Sequence, residues 1–168
     1  MLATSHMLAG AAIGRRVRPL PLAMILAFLS HFILDVVPHV DAYSLFHRSG
    51  DGITPVIIIS AVTDFLFGAG LVWWLSRNRK YKGRVLLGAL AGVIIDLVDN
   101  IPPWCYWFRA STLGFWVSSF HHRIQHNLPP AQWVLGLGTQ AVVFGVAMLL
   151  LVPWKTRKEP QNAGSILH

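Results

Sequence analysis

The chain alternates long apolar stretches with short polar connections. Four of these stretches cover residues 20–37, 53–75, 85–101 and 133–154. Because a hydrocarbon core of about 30 Å needs about 20 apolar residues in a helix, each stretch predicts a transmembrane helix. A shorter stretch at residues 2–14 would extend only about 20 Å as a helix, so we expect a short span or a re-entrant segment. The pattern predicts an all-α integral membrane bundle of four to five transmembrane helices, with residues 1–154 as one membrane domain and 155–168 as a basic tail.

The composition supports a membrane protein and excludes other classes. Of the 168 residues, 54% are hydrophobic and only 12% are charged, whereas soluble domains carry about 25% charged residues and disordered chains carry few apolar ones. The single cysteine, Cys105, excludes an intrachain disulfide and a thiolate zinc cluster. The net charge of +7 does not indicate nucleic acid binding, because the basic residues form short blocks between apolar stretches.

The basic residues predict the orientation in the cytoplasmic membrane. Eleven of the fourteen lie in alternate connections or in the tail, namely Arg15, Arg16, Arg18, Arg77, Arg79, Lys80, Lys82, Arg84, Lys155, Arg157 and Lys158. The positive-inside rule places these connections in the cytoplasm. The N-terminus is then outside and the C-terminus cytoplasmic, while Arg48, Arg109 and Arg123 fall in outer connections.

Most acidic residues and histidines fall in the outer half of the predicted bundle, where they suggest a binding site. His31 and Asp35 are four residues apart in SHFILDVVPH, so they share one face of a helix. His39 follows directly after Pro38, where the helix is expected to end. An ionised side chain at the centre of a transmembrane helix costs about 2.5 to 3.5 kcal/mol, so these groups need partners, a water-filled cavity or a cation.

Further candidate metal ligands lie on other stretches: His6, Asp64, Asp96, Asp99, His122 and His126. Asp96 and Asp99 are three residues apart in IIDLVDNIP, and two carboxylates that close favour a cation between them. His122 and His126 are four apart in HHRIQH. Singly, each group has a structural alternative: a hydrogen-bonded buried histidine, an aspartate bound to a neighbouring helix, or, for Asp64, a proton-coupling residue of a transporter. Their convergence predicts a metal site near the outer face.

The ligand types limit which metal ion is expected and suggest the reaction it would support. Imidazole and carboxylate ligands without thiolate suit Zn, with Mn or Fe as alternatives. The candidates exceed what one tetrahedral ion uses, so two or more ions are expected, and paired ions can clamp the oxygens of a phosphoryl ester. Arg123 is expected to hold a phosphate oxygen through its guanidinium fork, with a solvated arginine as the alternative. Asp99, the acid nearer the water boundary, is the candidate general base or bridging ligand.

Four motifs carry a family resemblance: ATSHMLAGAAIG, LSHFILDVVPHVD, GALAGVIIDLVDNIP and HHRIQH. They resemble the small predicted membrane-bound metal-dependent hydrolases that are similar to zinc-dependent phospholipase C. The resemblance implies a set of metal ligands, which here would be His6, His31, Asp35, Asp96, Asp99, His122 and His126. The soluble phospholipases pair a His-x3-Asp with a His-x3-Glu, whereas the only glutamate here is Glu159. His122 and His126 would have to fill that role, and the ligating N-terminal tryptophan of those enzymes is also missing.

We therefore expect a membrane-embedded metal-dependent hydrolase, a phosphoesterase whose substrate is a phospholipid, a lipid phosphate or another lipid-linked ester. The alternative is a divalent cation or proton-coupled transporter. A transporter needs polar residues that continue to the cytoplasmic face, but below Asp64 only Gly, Ser and Thr residues and Gln140 follow. Bis-histidine haem binding is disfavoured because it would leave the acids unexplained.

Overall fold

The computed structural model describes residues 1–47 and 52–152. Its helices are α1 (Ala3–Arg16), α2 (Leu20–Val36), α3 (Ala42–Phe46), α4 (Pro55–Ser76), α5 (Lys82–Asn100), α6 (Trp104–Ala110), α7 (Thr112–Ile124) and α8 (Trp133–Leu151). A 3₁₀ turn, Pro130–Gln132, precedes α8. The described residues form no β-strand, which confirms the all-α class. The predicted basic tail and the loop residues Arg48 and Asp51 lie outside these ranges.

Helices α1, α2, α4, α5 and α8 coincide with the apolar stretches, but they differ in how well they suit a membrane. Within the described residues, two segments are long and apolar enough to cross one, Pro55–Ser76 and Pro130–Leu151. The pair α5 and α6 is long and apolar enough only when the two helices are taken together. Because they bend by 86°, the pair would be a broken span or a re-entrant loop. α2 is apolar but has only 17 residues. Two or three candidate spans are therefore present, and further crossings by α1 and α2 stay a prediction.

Local sequence explains where these helices begin and end. The Thr54 side chain accepts a hydrogen bond from the Ile57 amide, with Pro55 in the first turn of α4, and both features are typical of a helix start. α2 ends at Val36 because Pro38 disfavours helical geometry at the residue before it.

α1 lies at the centre of the bundle and packs against α2, α4, α5 and α8. Its closest neighbour is α5, because glycines on both helices allow backbone contact. A Cβ atom added at Gly88 would lie 2.3 Å from the carbonyl oxygen of Gly10, and one at Gly92 would lie 2.5 Å from that of His6. Small residues spaced four apart favour such close helix pairs within membranes. The contact runs antiparallel and brings His6 beside the C-terminal half of α5.

Charge is segregated between the two ends of the bundle. At one end Arg84 donates to the carbonyl oxygens of Gly14 and Val17, and Arg15 and Arg16 donate to the last turn of α8. The histidines and aspartates discussed below lie at the opposite end of α1 and α5. This separation is what the basic connections predicted, while the side that faces the cytoplasm stays a prediction.

Residues 102–132 hold structure that the sequence analysis treated only as an outer connection. α6 and α7 are joined at Ser111, whose side chain accepts a hydrogen bond from the Gly114 amide at 3.0 Å. Their outer surface exposes large apolar side chains, namely Trp104, Tyr106, Trp107, Leu113, Phe115, Trp116 and Phe120. These two helices cover the polar end of the bundle.

Candidate metal centre

Four helices bring histidine and aspartate side chains together at the polar end of the bundle. This donor cluster consists of His6 from α1, His31 and Asp35 from α2, Asp96 from α5 and His121 from α7. The side chains of His6, His31, Asp35 and His121 have no exposed area, and that of Asp96 is 23% exposed. The cluster is therefore buried except at the edge that Asp96 forms.

The spacing of the donor atoms is that of ligands around one ion. The Nε2 atoms of His31 and His121 are 3.1 Å apart, and each lies 3.1 Å from Asp35 Oδ2. Asp96 Oδ1 lies 3.6 Å from both nitrogens. Tetrahedral zinc with ligands at about 2.0 to 2.1 Å separates neighbouring ligand atoms by about 3.3 Å. The four atoms thus need little movement to surround an ion.

The other ring nitrogens of the two central histidines are already occupied. His31 Nδ1 lies 2.8 Å from the Gly92 carbonyl oxygen and donates to it. His121 Nδ1 lies 3.1 Å from Asp99 Oδ2, which assigns the proton to Nδ1 there as well. Metal-binding histidines usually donate their second N–H to a carbonyl or carboxylate, which leaves the Nε2 lone pair for the ion.

The charge around His121 favours a cation. Burial opposes a charged imidazole, but the hydrogen bond that the protonated ring donates to Asp35 and the carboxylates of Asp96 and Asp99 outweigh burial and raise the pKa of His121. The same carboxylates would favour a metal ion at this position. The donor set of imidazole and carboxylate is also one that Zn, Mn or Fe accepts.

His6 extends the cluster without a hydrogen bond of its own. Its ring stacks on His31 with centroids 3.9 Å apart, and its Nε2 lies 3.2 Å from Asp35 Oδ1. The α-amino group of Met1 is 3.1 Å from the same oxygen. Among the described residues, neither buried ring nitrogen of His6 has a hydrogen-bond partner. An imidazole buried in this way is available as a further ligand.

Two overlapping trios of donors meet the distance requirement for an ion. One consists of His6, His31 and Asp96, and the other of His31, Asp35 and His121, with ligand atoms within 4.8 Å of one another in each. Both trios need the Nε2 atom of His31, because its Nδ1 is bonded to Gly92. They therefore describe one shared site.

Asp99 lies behind the cluster, where it joins His121 to an arginine. Arg109 donates from Nε to Asp99 Oδ1 at 2.7 Å and from Nη2 to the Asp99 carbonyl oxygen at 2.6 Å. His122 Nε2 is 3.3 Å from Asp99 Oδ2, and its side chain is 47% exposed. Burial lowers the pKa of His122. Asp99 and His122, two predicted ligands, thus contact the cluster through His121 instead of facing its centre.

His121 lies in the donor cluster, although the sequence did not single it out as a ligand. Gly114, Ser118 and His121 are the buried residues of α7, and their spacing of four and three residues marks one helical face. That pattern of small residues leading to a histidine is the signal that distinguishes His121 from its neighbours. Arg109 was also missed, because only the bend between α5 and α6 turns it back to Asp99.

Two further predicted ligands, the buried His39 and the half-buried Asp64, lie apart from the donor cluster. His39 donates from Nδ1 to the Val37 carbonyl oxygen at 2.7 Å, and burial lowers its pKa. Asp64 accepts hydrogen bonds from the Thr4 hydroxyl group at 2.6 Å and from the Thr4 amide at 3.4 Å. Since Thr4 lies in the first turn of α1, Asp64 satisfies a free helix N–H group. Neither residue belongs to the candidate metal trios found among the described residues.

Arg123 and His126 are exposed. Within the described ranges, neither side chain makes a hydrogen bond to protein or an ion pair. The backbone of His126 nevertheless has a role: its amide donates to the Asp35 carbonyl oxygen at 2.8 Å, and its carbonyl accepts from the His39 amide at 3.1 Å. These bonds hold the chain after α7 against the end of α2 and help to set His121 beside Asp35.

The fold and the cluster together define a helical protein with candidate membrane spans and a candidate His/Asp metal centre. No protein family, curated protein or solved structure matches the chain. The function must therefore be inferred from the residues and from their geometry.

Proposed function

We propose that this chain is a membrane-embedded metal-dependent hydrolase, a phosphoesterase that acts on a lipid or lipid-linked substrate. The observation that supports it best is the meeting of His31 Nε2, His121 Nε2 and Asp35 Oδ2 at 3.1 Å. We propose Zn as the ion, with Mn or Fe as alternatives that accept the same donors. When bound, such an ion supplies a Lewis acid for a phosphoryl oxygen and lowers the pKa of water.

The chain's own residues would hold the ion and orient its ligands. His31, Asp35 and His121 form the central trio, and Asp96 and His6 complete it from α5 and α1. Both carboxylate oxygens of Asp99 are engaged, one by Arg109 and one by His121. We therefore assign Asp99 to positioning His121, whereas the sequence suggested a general base. Asp96 is the carboxylate that reaches solvent.

The surroundings of the cluster support a lipid substrate. The exposed aromatic side chains of α6 and α7 include Trp107 and Trp116, which are 71% and 67% exposed. Tryptophan is enriched at the boundary between lipid and water. A cluster covered by these two helices would lie at the depth of lipid headgroups, where an ester bond is accessible without leaving the bilayer.

The test begins with metal content in the detergent-purified protein. We expect elemental analysis to find zinc in the native chain and little in His31→Ala or His121→Ala, because each variant removes a central ligand. His47→Ala is the matched control, since His47 stacks on Tyr43 outside the cluster. Hydrolysis of a phospholipid or lipid phosphate should stop on chelation and return with Zn or Mn.

The same preparation separates this proposal from the transporter alternative. After reconstitution into vesicles, metal-loaded protein should release phosphate or a phosphorylated headgroup without moving ions. Divalent cation flux, together with no cleavage of phospholipid, lipid phosphate or a generic phosphodiester, would refute the hydrolase and favour transport.

A further inference from the structure

We propose that Arg109 binds the anionic phosphoryl group of the substrate in a surface pocket beside the donor cluster. The inference rests on the proposed function and names the anion-binding part of that site. The pocket has a volume of about 340 Å³ and is lined by Arg109, Phe115, Ser118, Ser119 and His122. Small-molecule sites start at about 300 Å³, so the pocket can hold a phosphoryl group with part of its carrier.

The guanidinium of Arg109 is fixed on one edge and free on the other. Nε and Nη2 donate to Asp99 Oδ1 and to its carbonyl oxygen, and Nη2 also lies 3.3 Å from His122 Nε2. No residue in the described part of the chain accepts from Nη1. A guanidinium has five N–H donors, so the two on Nη1 stay available. Nη1 can therefore donate charge-assisted hydrogen bonds to the oxygens of a phosphoryl group.

The charge of Asp99 does not oppose an anion in this pocket. Its carboxylate has no exposed area, while the Arg109 side chain is 43% exposed. The Asp99 negative charge is therefore covered by the guanidinium and by His121, and the group that faces solvent is the cation. Phe115 adds an apolar wall, which suits the hydrocarbon part of a lipid phosphate.

The pocket is also coupled to the donor cluster by a short path. Arg109 bonds to Asp99 Oδ1, and Asp99 Oδ2 lies 3.1 Å from His121 Nδ1. The opposite nitrogen of that imidazole faces the donor cluster. A phosphoryl group on Arg109 would therefore be linked to one ion ligand, His121, through a single intervening residue, Asp99. Arg123, the arginine expected from sequence, has no comparable anchor in the described structure.

The test measures binding of inorganic phosphate to the detergent-purified, zinc-loaded chain by equilibrium dialysis. Arg109→Lys keeps the charge but removes the free Nη1 donors, so we expect phosphate affinity, measured at saturating zinc, to fall at least tenfold. Arg79→Lys, at the basic end of the bundle, is the matched control and should bind as the native chain does. A dependence on Arg123→Lys in place of Arg109→Lys would overturn the assignment.

Arg109→Lys also removes the hydrogen bonds to Asp99, so a second variant that keeps them is needed. Ser119→Trp fills the pocket without removing any bond to Asp99, and we expect it to lose phosphate binding while retaining zinc. Native phosphate affinity in Ser119→Trp or in Arg109→Lys would overturn the proposal. If the chain binds phosphate through Arg109 but cleaves no ester, the anion site stands and the hydrolase fails.

A third arm identifies the source of the phosphoryl group. Short-chain dihexanoyl phosphatidic acid is compared with inorganic phosphate in the same dialysis. Tighter binding of the lipid, lost in Ser119→Trp, supports a lipid phosphate, and equal affinity supports recognition of the phosphoryl group alone. In either case we expect Arg109→Lys to bind both inorganic phosphate and the lipid at least tenfold more weakly.

Discussion

At the scale of single residues, the candidate centre depends on which nitrogen of each histidine is free. Gly92 holds His31 through a carbonyl oxygen, and Asp99 holds His121 through a carboxylate. Both contacts leave Nε2 directed at Asp35. Two unprotonated nitrogens 3.1 Å apart repel each other unless a proton or a cation lies between them. A proton on His121, whose pKa is raised, or a metal ion would relieve this repulsion, so the two compete for the same position.

Replacing Asp99 by asparagine tests this orientation. The amide keeps the shape but loses the negative charge that His121 Nδ1 and Arg109 contact, so we expect zinc affinity to fall about 10- to 100-fold. Competition with a chromophoric chelator measures the zinc affinity. Asp41→Asn is the control, since asparagine is also a good helix cap and Asp41 only caps α3. Equal zinc affinity in Asp99→Asn would show that the contact does not orient the ligand.

The same scale shows what the sequence could and could not predict about the site. His31 and Asp35 followed from their spacing on one helix, because that relation is local. The choice among the histidines of HHRIQH was not local, since His121 meets Asp35 and Asp99, which lie on other helices. Asp64 was predicted as a ligand from its charge alone. Its hydrogen-bond partner, Thr4, lies on another helix, so the sequence could not show that contact.

At the scale of elements, the contact between α1 and α5 positions three donors at once. Glycines on both helices let the backbones touch, and this contact sets His6 opposite Asp96 and places the Gly92 carbonyl beside His31. The apolar stretches predicted these helices, because hydrophobic length is a local property. The bend between α5 and α6 and the helical state of residues 104–124 were not predicted, because they depend on packing across the polar end.

Gly88→Ala tests the helix contact. The added Cβ would lie 2.3 Å from the Gly10 carbonyl oxygen, so the helices must separate, and overpacking of this kind costs about 1 to 3 kcal/mol or more. We expect a lower thermal midpoint in detergent and weaker zinc binding. Gly138→Ala has no neighbour within 4 Å and should be neutral, or stabilising by about 0.5 to 1 kcal/mol. A native midpoint in Gly88→Ala would contradict the close packing.

At the scale of the whole molecule, the donor cluster joins α1, α2, α5 and α7. An ion that binds only the folded chain stabilises it by about 2.7 kcal/mol when its concentration is 100 times the Kd. We therefore expect the thermal midpoint to rise with zinc concentration and to fall on chelation. His121→Ala should abolish the zinc dependence, and His47→Ala should retain it. A thermal midpoint of the native chain that does not change with zinc concentration would argue against a metal shared by four helices.

The opposite ends of the bundle make the orientation in the membrane testable with α4 alone. Gly52 and Asn78 flank this helix and are both exposed, and Asn78 lies among the basic residues that the positive-inside rule assigns to the cytoplasm. In a Cys105→Ala background, a membrane-impermeant maleimide should label Gly52→Cys on intact cells and spare Asn78→Cys. After permeabilisation both should react, which controls for accessibility. Labelling of Asn78→Cys alone would show that the basic end of the bundle is outside. The donor cluster lies at the opposite end, so it would then face the cytoplasm. A lipid substrate would then have to come from the inner leaflet.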